Sequence, residues 1–331
     1  VMSEFSKDPL TGRGVIIAPE RAQRPEQFDP TSTAESDQPC PFCPGNERQT
    51  PPESWADRPA DSPPDRPGWS IRVVPNKYPA VTADDGIADG QTADRSAGAG
   101  IHEVIIENPA HVANLAALDE AQFSKIFRAY RGRLRAVHED RRWRFALIFK
   151  NQGERAGATL EHAHAQLLAL PFVPADVEKE LAGARDYHRR NASCYYCALI
   201  ERELQARVRV VTSSAAFIAL CPAAPRFAFE TWILPRVHGA AFEHADDSII
   251  AALAKISRQV IAALDRLRAN PPFNYFIQSL PLADSERAHY HWQLRLLPQF
   301  SRAAGFEWGS GIHINPVAPE AAAQVLRDAL I

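Results

Sequence analysis

Two copies of a short histidine motif carry the most chemically suggestive side chains in this sequence. The first is His162-Ala163-His164-Ala165-Gln166 and the second is His289-Tyr290-His291-Trp292-Gln293. Because alternate residues of an extended strand share a face, each run would place two imidazoles and an amide side by side. Such a face could hold a metal ion next to a nucleophile.

The two motifs indicate a duplicated unit. The number of residues from His162 to His289 equals the number from His111 to His238. Two helical patterns, which begin at Asp119 and Asp246, are separated by this same number of residues. A duplication is the simplest explanation for the shared spacing.

Each half also contains a Cys-x-x-Cys pair upstream of its histidines. Two thiolates and two imidazoles suit tetrahedral Zn²⁺ and leave no position open for water, so a structural role is expected. The alternative, free thiols and ordinary core histidines, is less favoured because each cysteine pair has matching histidines. We expect Zn²⁺, about two ions per chain, in one site of Cys40, Cys43, His111 and His162 and another of Cys194, Cys197, His238 and His289.

His164 is the candidate nucleophile. If His162 binds a metal, His164 lies about 6–7 Å further along the same strand face and stays free to react. A neutral imidazole can attack phosphorus and form a covalent intermediate, and Gln166 can donate its amide to a phosphoryl oxygen. A structural imidazole is the alternative, but the adjacent metal ligand and polar loop favour catalysis.

A polar loop over residues 151–159 precedes the first motif. Gly153 and Gly157 would allow backbone N–H groups to approach a phosphate closely, and Asn151, Arg155 and Thr159 add donors. The run before the second motif, residues 283–288, contains no glycine. We therefore expect one active centre per chain, with His291, the apparent counterpart of His164, retained for structure.

The hydrophobic spacing predicts the elements that position these residues. It indicates helices over 119–138 and 246–267, and strands over 15–18, 102–107, 143–150, 231–234 and 274–279. The order strand, helix, strand, strand in each half predicts an α+β fold of antiparallel sheets with packed helices. We expect two sheets that pack as a pseudo-twofold pair, in domains spanning 1–173 and 174–331.

Composition narrows the function classes. The 331 residues include 37 basic and 40 acidic side chains, a net charge of −3, which argues against a nucleic-acid or anionic-membrane partner. A zinc-stabilised binding module without catalysis, such as one for nucleic acid, predicts a basic face, and the slightly acidic composition disfavours it. The sequence contains no run of about 18 apolar residues and no signal-like start. Five cysteines are too few for a secreted disulfide framework, so a cytoplasmic protein is expected.

The sequence resembles the galactose-1-phosphate uridylyltransferases of the histidine triad superfamily, together with the related ADP-glucose phosphorylases. The resemblance covers nearly the whole chain. It is carried by Asp8-Pro-Leu-Thr-Gly-Arg13, Ala18-Pro-Glu-Arg-Ala-Gln-Arg-Pro25, Cys40-Pro-Phe-Cys43, Val74-Pro-Asn-Lys-Tyr-Pro79, the segment from Asn151 to Gln166, and the segment from Gly305 to Pro316.

This resemblance implies two histidine-triad-like domains and a ping-pong transfer. His164 would attack the α-phosphorus of a nucleotide sugar and release a sugar 1-phosphate, and a second phosphate-bearing acceptor would take the nucleotidyl group. Related hydrolases carry a third histidine where this chain has Gln166, which favours transfer. The resemblance also implies a homodimer, hexose contacts at Phe306 and Glu307, and nucleotide or phosphate contacts at Arg21, Arg24, Asn76, Asn151, Thr159 and Gln166.

The substrates are the point at which the resemblance divides. The sequence slightly favours uridylyl transfer from UDP-glucose to galactose 1-phosphate. Adenylyl transfer from ADP-glucose to inorganic phosphate is the alternative, because the second Cys-x-x-Cys, Lys77-Tyr78 and the segment 305–316 lean toward the phosphorylases.

Overall fold

The computed structural model describes residues 3–23, 39–83, 98–284 and 287–330. Its strands are β1 (Glu4–Lys7), β2 (Gly14–Ile17), β3 (Trp55–Asp57), β4 (Ile71–Pro75), β5 (Ile101–Ile106), β6 (Phe145–Gln152), β7 (His164–Leu170), β8 (Val210–Ser213), β9 (Phe217–Leu220), β10 (Thr231–Pro235), β11 (Phe273–Gln278), β12 (Gln293–Pro298) and β13 (His313–Asn315). Its α-helices are α1 (Glu120–Glu139), α2 (Ala175–Asn191), α3 (Tyr195–Ala206), α4 (Asp247–Leu267), α5 (Gly305–Ser310) and α6 (Pro319–Asp328). In these ranges, every helix is too short or too polar to span a bilayer.

Within the described ranges, ten strands form one continuous sheet in the order β3-β4-β5-β7-β6-β11-β12-β10-β9-β8. All of its neighbouring strands are antiparallel. The predicted α+β class is therefore confirmed, but the two sets of strands join edge to edge through β6 and β11. This joining pairs the backbone groups of two edges that would otherwise be open. A smaller sheet consists of β1, β2 and β13.

Helices α1 and α4 pack together on one face of the large sheet. Both begin where the sequence predicts, because Asp119 and Asp246 cap them by accepting the N–H groups of Gln122 and Ile249. Their apolar faces and the strands enclose the main hydrophobic core, which includes Ile105, Ile148, Leu167, Phe127, Tyr130, Leu253, Val260 and Ile277.

The opposite face of the sheet is covered differently in the two halves. In the first half, Phe42 and Trp69 pack against Val104 and Ile106. In the second half, α2 and α3, which the sequence patterns did not predict, place residues such as Tyr196 against the strands. Different segments therefore pack over the first histidine motif and over its counterpart in the second half.

The register of the sheet shows that the repeat spacing is not uniform. Lys150 of β6 pairs with Ala165 of β7. If the residue spacing between the two histidine motifs applied throughout, Lys150 would correspond to Ile277 and Ala165 to Trp292. Ile277 nevertheless pairs with Leu294, two positions beyond Trp292. The connection before the second motif strand is therefore two residues longer than the connection before the first.

Candidate active site and metal centres

The first Cys-x-x-Cys and its two histidines converge as expected. The ligand atoms of Cys40, Cys43, His111 and His162 all lie within 4.8 Å of one another. The Cys43 Sγ atom is 3.3 Å from His111 Nδ1 and 3.6 Å from His162 Nδ1. His162 donates its Nε2–H to the Asn108 carbonyl at 2.7 Å, so its Nδ1 lone pair faces the sulfurs. Two thiols and two imidazoles in this arrangement fit tetrahedral zinc.

The second group has a different fourth member from the one predicted. The structure brings together Cys194, Cys197, His238 and His291, so the prediction of His289 is wrong. The two extra residues before β12 shift the second motif, and His291 thereby occupies the place of His162. His291 donates its Nε2–H to the Pro235 carbonyl at 2.8 Å, as His162 does to Asn108. Its Nδ1 lies 3.6 Å from Cys197 Sγ.

His164, the first residue of β7, has the geometry of a nucleophile. Its Nδ1–H donates to the His162 carbonyl at 2.8 Å, which places the lone pair of the neutral ring on Nε2. Burial, and then the nearby charge of Lys150, lower the pKa of His164 to about 4. The imidazole is therefore neutral near pH 7 and able to attack an electrophile.

Phe42 joins the first metal group to this imidazole. It is one of the two residues between Cys40 and Cys43, and its ring meets the His164 ring edge-on, with 5.2 Å between centroids. A metal ion that closes the cysteine loop would therefore also hold one wall of the nucleophile's pocket.

A buried ion pair supports His164 from the helix-covered side of the sheet, and sequence reasoning missed it. Lys150 Nζ donates to the His164 carbonyl at 3.0 Å and to the Glu107 carboxylate. The Glu107 N–H donates to the Ala163 carbonyl at 3.0 Å. Both charged side chains are 2% exposed or less. The signal in the sequence was a lysine at the end of an otherwise apolar strand.

The loop before β7 depends on two glycines for its backbone conformation. Gly153 and Gly157 have φ of +79° and +89°, which side chains other than glycine rarely adopt. Asn274 of β11 donates to Asn151 Oδ1 at 2.8 Å and to the Ala156 carbonyl at 2.7 Å. Because Oδ1 of Asn151 is the acceptor, its NH₂ group is the end that faces Gly157. Asn274 was another residue that the sequence did not reveal.

The structure also brings Gln166 and Asn76 together, through His102. His102 Nε2 lies 2.8 Å from Gln166 Oε1 and 3.1 Å from Asn76 Nδ2. His102 was missed because it falls within an ordinary strand pattern on β5.

Other predicted residues lie elsewhere in the fold. Arg21 is in a short 3₁₀ turn after β2, and Thr159 is exposed beyond the glycine loop. Phe306 and Glu307 belong to α5, where Glu307 accepts the N–H of Ala304. Arg24 lies outside the described residues.

A neutral imidazole beside a Cys₂His₂ group, with amide donors and a glycine loop nearby, is suited to nucleotidyl transfer, and comparison with known proteins identifies the chain as a nucleotidyltransferase. The family model described as galactose-1-phosphate uridyl transferase, N-terminal domain, matches residues 2–174. The chain belongs to the galactose-1-phosphate uridyl transferase family.

Relatives of both substrate types resemble the full length of the chain. It is 35% identical to the ADP-glucose phosphorylase of Arabidopsis thaliana, over 98% of this chain and 92% of that protein. It is 26% identical to the galactose-1-phosphate uridylyltransferase of Thermotoga maritima, over 99% and 98% of the two chains. A crystal structure of an Arabidopsis thaliana ADP-glucose phosphorylase with bound ADP-glucose superimposes with a TM-score of 0.85 at 34% identity, covering 99% of each chain. A uridylyltransferase structure gives a TM-score of 0.78 at 25% identity, covering 99% and 98%.

The corrected second metal group leads to a direct test. We expect His291→Ala to lower the metal content by about one ion per chain, whereas His289→Ala, the matched control, leaves it unchanged. Elemental analysis of the purified proteins measures this difference. Equal metal loss in both variants, or loss only in His289→Ala, would contradict the assignment of His291.

The ion pair behind His164 leads to a second prediction. Lys150→Met should destabilise the fold by about 3–5 kcal/mol, because it leaves the Glu107 charge buried without its partner. Adding Glu107→Gln to this variant should recover part of that loss. Chemical denaturation gives the free energies of unfolding, and Lys255→Met, at an exposed position on α4, is the control. If the single and double variants are equally destabilised, the charge of Glu107 is not what makes Lys150 necessary.

Proposed function

We propose that this protein is an ADP-glucose phosphorylase, which transfers the adenylyl group of ADP-glucose to inorganic phosphate. The observation that carries the proposal is the 35% identity to a phosphorylase of this name over 98% of the chain. The identity to the Thermotoga maritima uridylyltransferase is 26%. The identities therefore favour adenylyl transfer over uridylyl transfer, which the sequence motifs alone slightly favoured.

In the first half-reaction, His164 Nε2 attacks the α-phosphorus of ADP-glucose. The new P–N bond forms as the bond from the α-phosphorus to the bridging oxygen breaks, and glucose 1-phosphate leaves with that oxygen. The neutral tautomer supports this step, because Nε2 carries a lone pair while Nδ1–H stays bonded to the His162 carbonyl.

In the second half-reaction, an oxygen of inorganic phosphate attacks the same phosphorus. The P–N bond breaks, ADP leaves, and His164 recovers its lone pair. Donors from Asn151, the loop around Gly153 and Gly157, and Gln166 would stabilise charge on the phosphoryl oxygens. Their neutral amides can serve both half-reactions without a change of protonation.

Zinc at both Cys₂His₂ groups, the homodimer and the cytoplasmic location are further parts of the proposal. Zinc would have a structural role, because four protein side chains in each group would fill its tetrahedral coordination. Thr159, Arg21 and Arg24 remain proposed nucleotide contacts, and Phe306 and Glu307 proposed hexose contacts near the dimer interface. The proposed domains stay at 1–173 and 174–331.

A substrate panel tests the proposed function. ADP-glucose with phosphate should exceed UDP-glucose with galactose 1-phosphate by at least about tenfold in kcat/KM, which corresponds to about 1.4 kcal/mol in transition-state binding. The panel crosses ADP-, UDP- and GDP-sugars with phosphate and several sugar 1-phosphates. A preference for the UDP-glucose and galactose 1-phosphate pair would instead favour uridylyl transfer.

Trapping the intermediate tests the nucleophile separately. ADP-glucose labelled at the α-phosphorus should label the wild-type protein when phosphate is absent, and added phosphate should release the label as ADP. His164→Ala should take up no label and lose turnover by at least about 10³-fold, while His289→Ala, as a control, behaves like wild type. Full turnover in His164→Ala would exclude the covalent route.

A further inference from the structure

His102 lies at the meeting point of three polar groups next to the nucleophile strand. It is half-buried on β5, beside β7, which carries His164 and Gln166. Its Nδ1 lies 3.0 Å from the backbone nitrogen of Ala80. Its Nε2 lies 2.8 Å from Gln166 Oε1.

The Ala80 contact determines the tautomer of His102. A backbone N–H can only donate, so Nδ1 must accept and cannot carry the proton of the neutral ring. The proton therefore sits on Nε2, which donates to Gln166 Oε1. The order of donors and acceptors runs from the Ala80 N–H through the imidazole to the Gln166 amide oxygen.

This order determines which end of Gln166 is available to a ligand. An unrestrained side-chain amide can turn over and exchange its oxygen for its NH₂ group. With Oε1 held by His102, the NH₂ group of Gln166 is the end left for the phosphoryl oxygens near His164. The reversed amide would present an oxygen to those oxygens and repel them.

Asn76 adds a second donor at the same point. Its Oδ1 accepts the Tyr78 N–H at 2.9 Å, so its Nδ2 is the atom that faces His102. The distance from Asn76 Nδ2 to His102 Nε2 is 3.1 Å, but a nitrogen that carries a proton cannot accept. Nδ2 of Asn76 therefore makes no hydrogen bond to His102, and its N–H groups, like those of Gln166, are suited to an anion.

We propose that His102 is a positioning residue for the transferred phosphoryl group, acting by locking the Gln166 amide with its NH₂ end toward that group. This inference rests on the proposed nucleotidyl transfer through His164. It assigns His102 no contact with the reacting atoms. The expected consequence is an effect on kcat that passes through Gln166.

Three substitutions test the lock. His102→Leu removes the hydrogen bonds to the Ala80 N–H and to Gln166 Oε1. It should lower kcat by about 10–100-fold, with smaller changes in KM and unchanged metal content. His102→Gln can place its Nε2 donor near the original Nε2 position and should restore most of the rate. His102→Asn is too short to reach Gln166 and should resemble His102→Leu. His138→Leu, which removes a half-buried histidine of α1, controls for the general cost of such a change.

A double variant separates positioning from folding. In a Gln166→Ala background, His102→Leu should change kcat much less than it does in the wild-type protein, because the group it positions is gone. Equal rates for the Gln and Asn variants, or an undiminished effect of His102→Leu in the Gln166→Ala background, would overturn the proposal. These assays use ADP-glucose and phosphate with the full chain. If wild type shows no transfer with these substrates, the proposed function fails. If wild type is active and His102→Leu matches it, only this inference fails.

Discussion

Two backbone carbonyls, each of which accepts a hydrogen bond from a histidine ring, set the chemistry of the whole site. Asn108 accepts from Nε2 of His162, and His162 itself accepts from Nδ1 of His164. Because a neutral imidazole has one N–H and one lone pair, the two rings are left with lone pairs on opposite nitrogens. One lone pair faces the cysteine sulfurs and the other is left for a substrate. The same residue type can thereby supply a metal ligand and, two positions later, the proposed nucleophile.

Both sides of the sheet contribute to holding this arrangement. On one side, the Cys-x-x-Cys loop carries Phe42 against the His164 ring. On the other, Lys150 bonds to the His164 carbonyl and is neutralised by Glu107. A buried ion pair rarely improves stability over apolar packing, so its value here lies in its position. Lys150 Nζ holds the carbonyl of His164 and the backbone N–H of Glu107 holds that of Ala163, so the two residues together fix the strand from which the His164 ring projects.

The regular elements could be predicted from sequence because their signals are local. The α1 and α4 helices follow from apolar spacing and aspartate caps, and the first metal group follows from ligand types and from histidines that recur in the repeat. Helices α2 and α3 were missed because their mixed polar and apolar residues cover a single patch of sheet and show no strong repeat. His102 and Lys150 were missed because their roles depend on partners from other strands and loops. His289 was chosen wrongly because a constant repeat spacing was assumed, whereas a two-residue difference in one loop can be seen only in the register.

The second half of the chain has a Cys₂His₂ group without the proposed catalytic histidine beside it. Gln293 begins β12 as His164 begins β7, so the position of the nucleophile is occupied by an amide. Arg295, two residues later, takes the place of Gln166 and is bound to Glu180 of α2 at 2.6 Å, with its guanidinium 4.5 Å from the Trp232 ring. The position that Gln166 occupies in the first half is thus held by one member of a charged pair in the second. The Cys₂His₂ group persists there, and it joins the start of α3 to the residues that precede β12. A Cys₂His₂ group that lacks a histidine at the proposed nucleophile position points to a structural role for a metal there, and by the same reasoning a metal at the first group would fix the shape around His164.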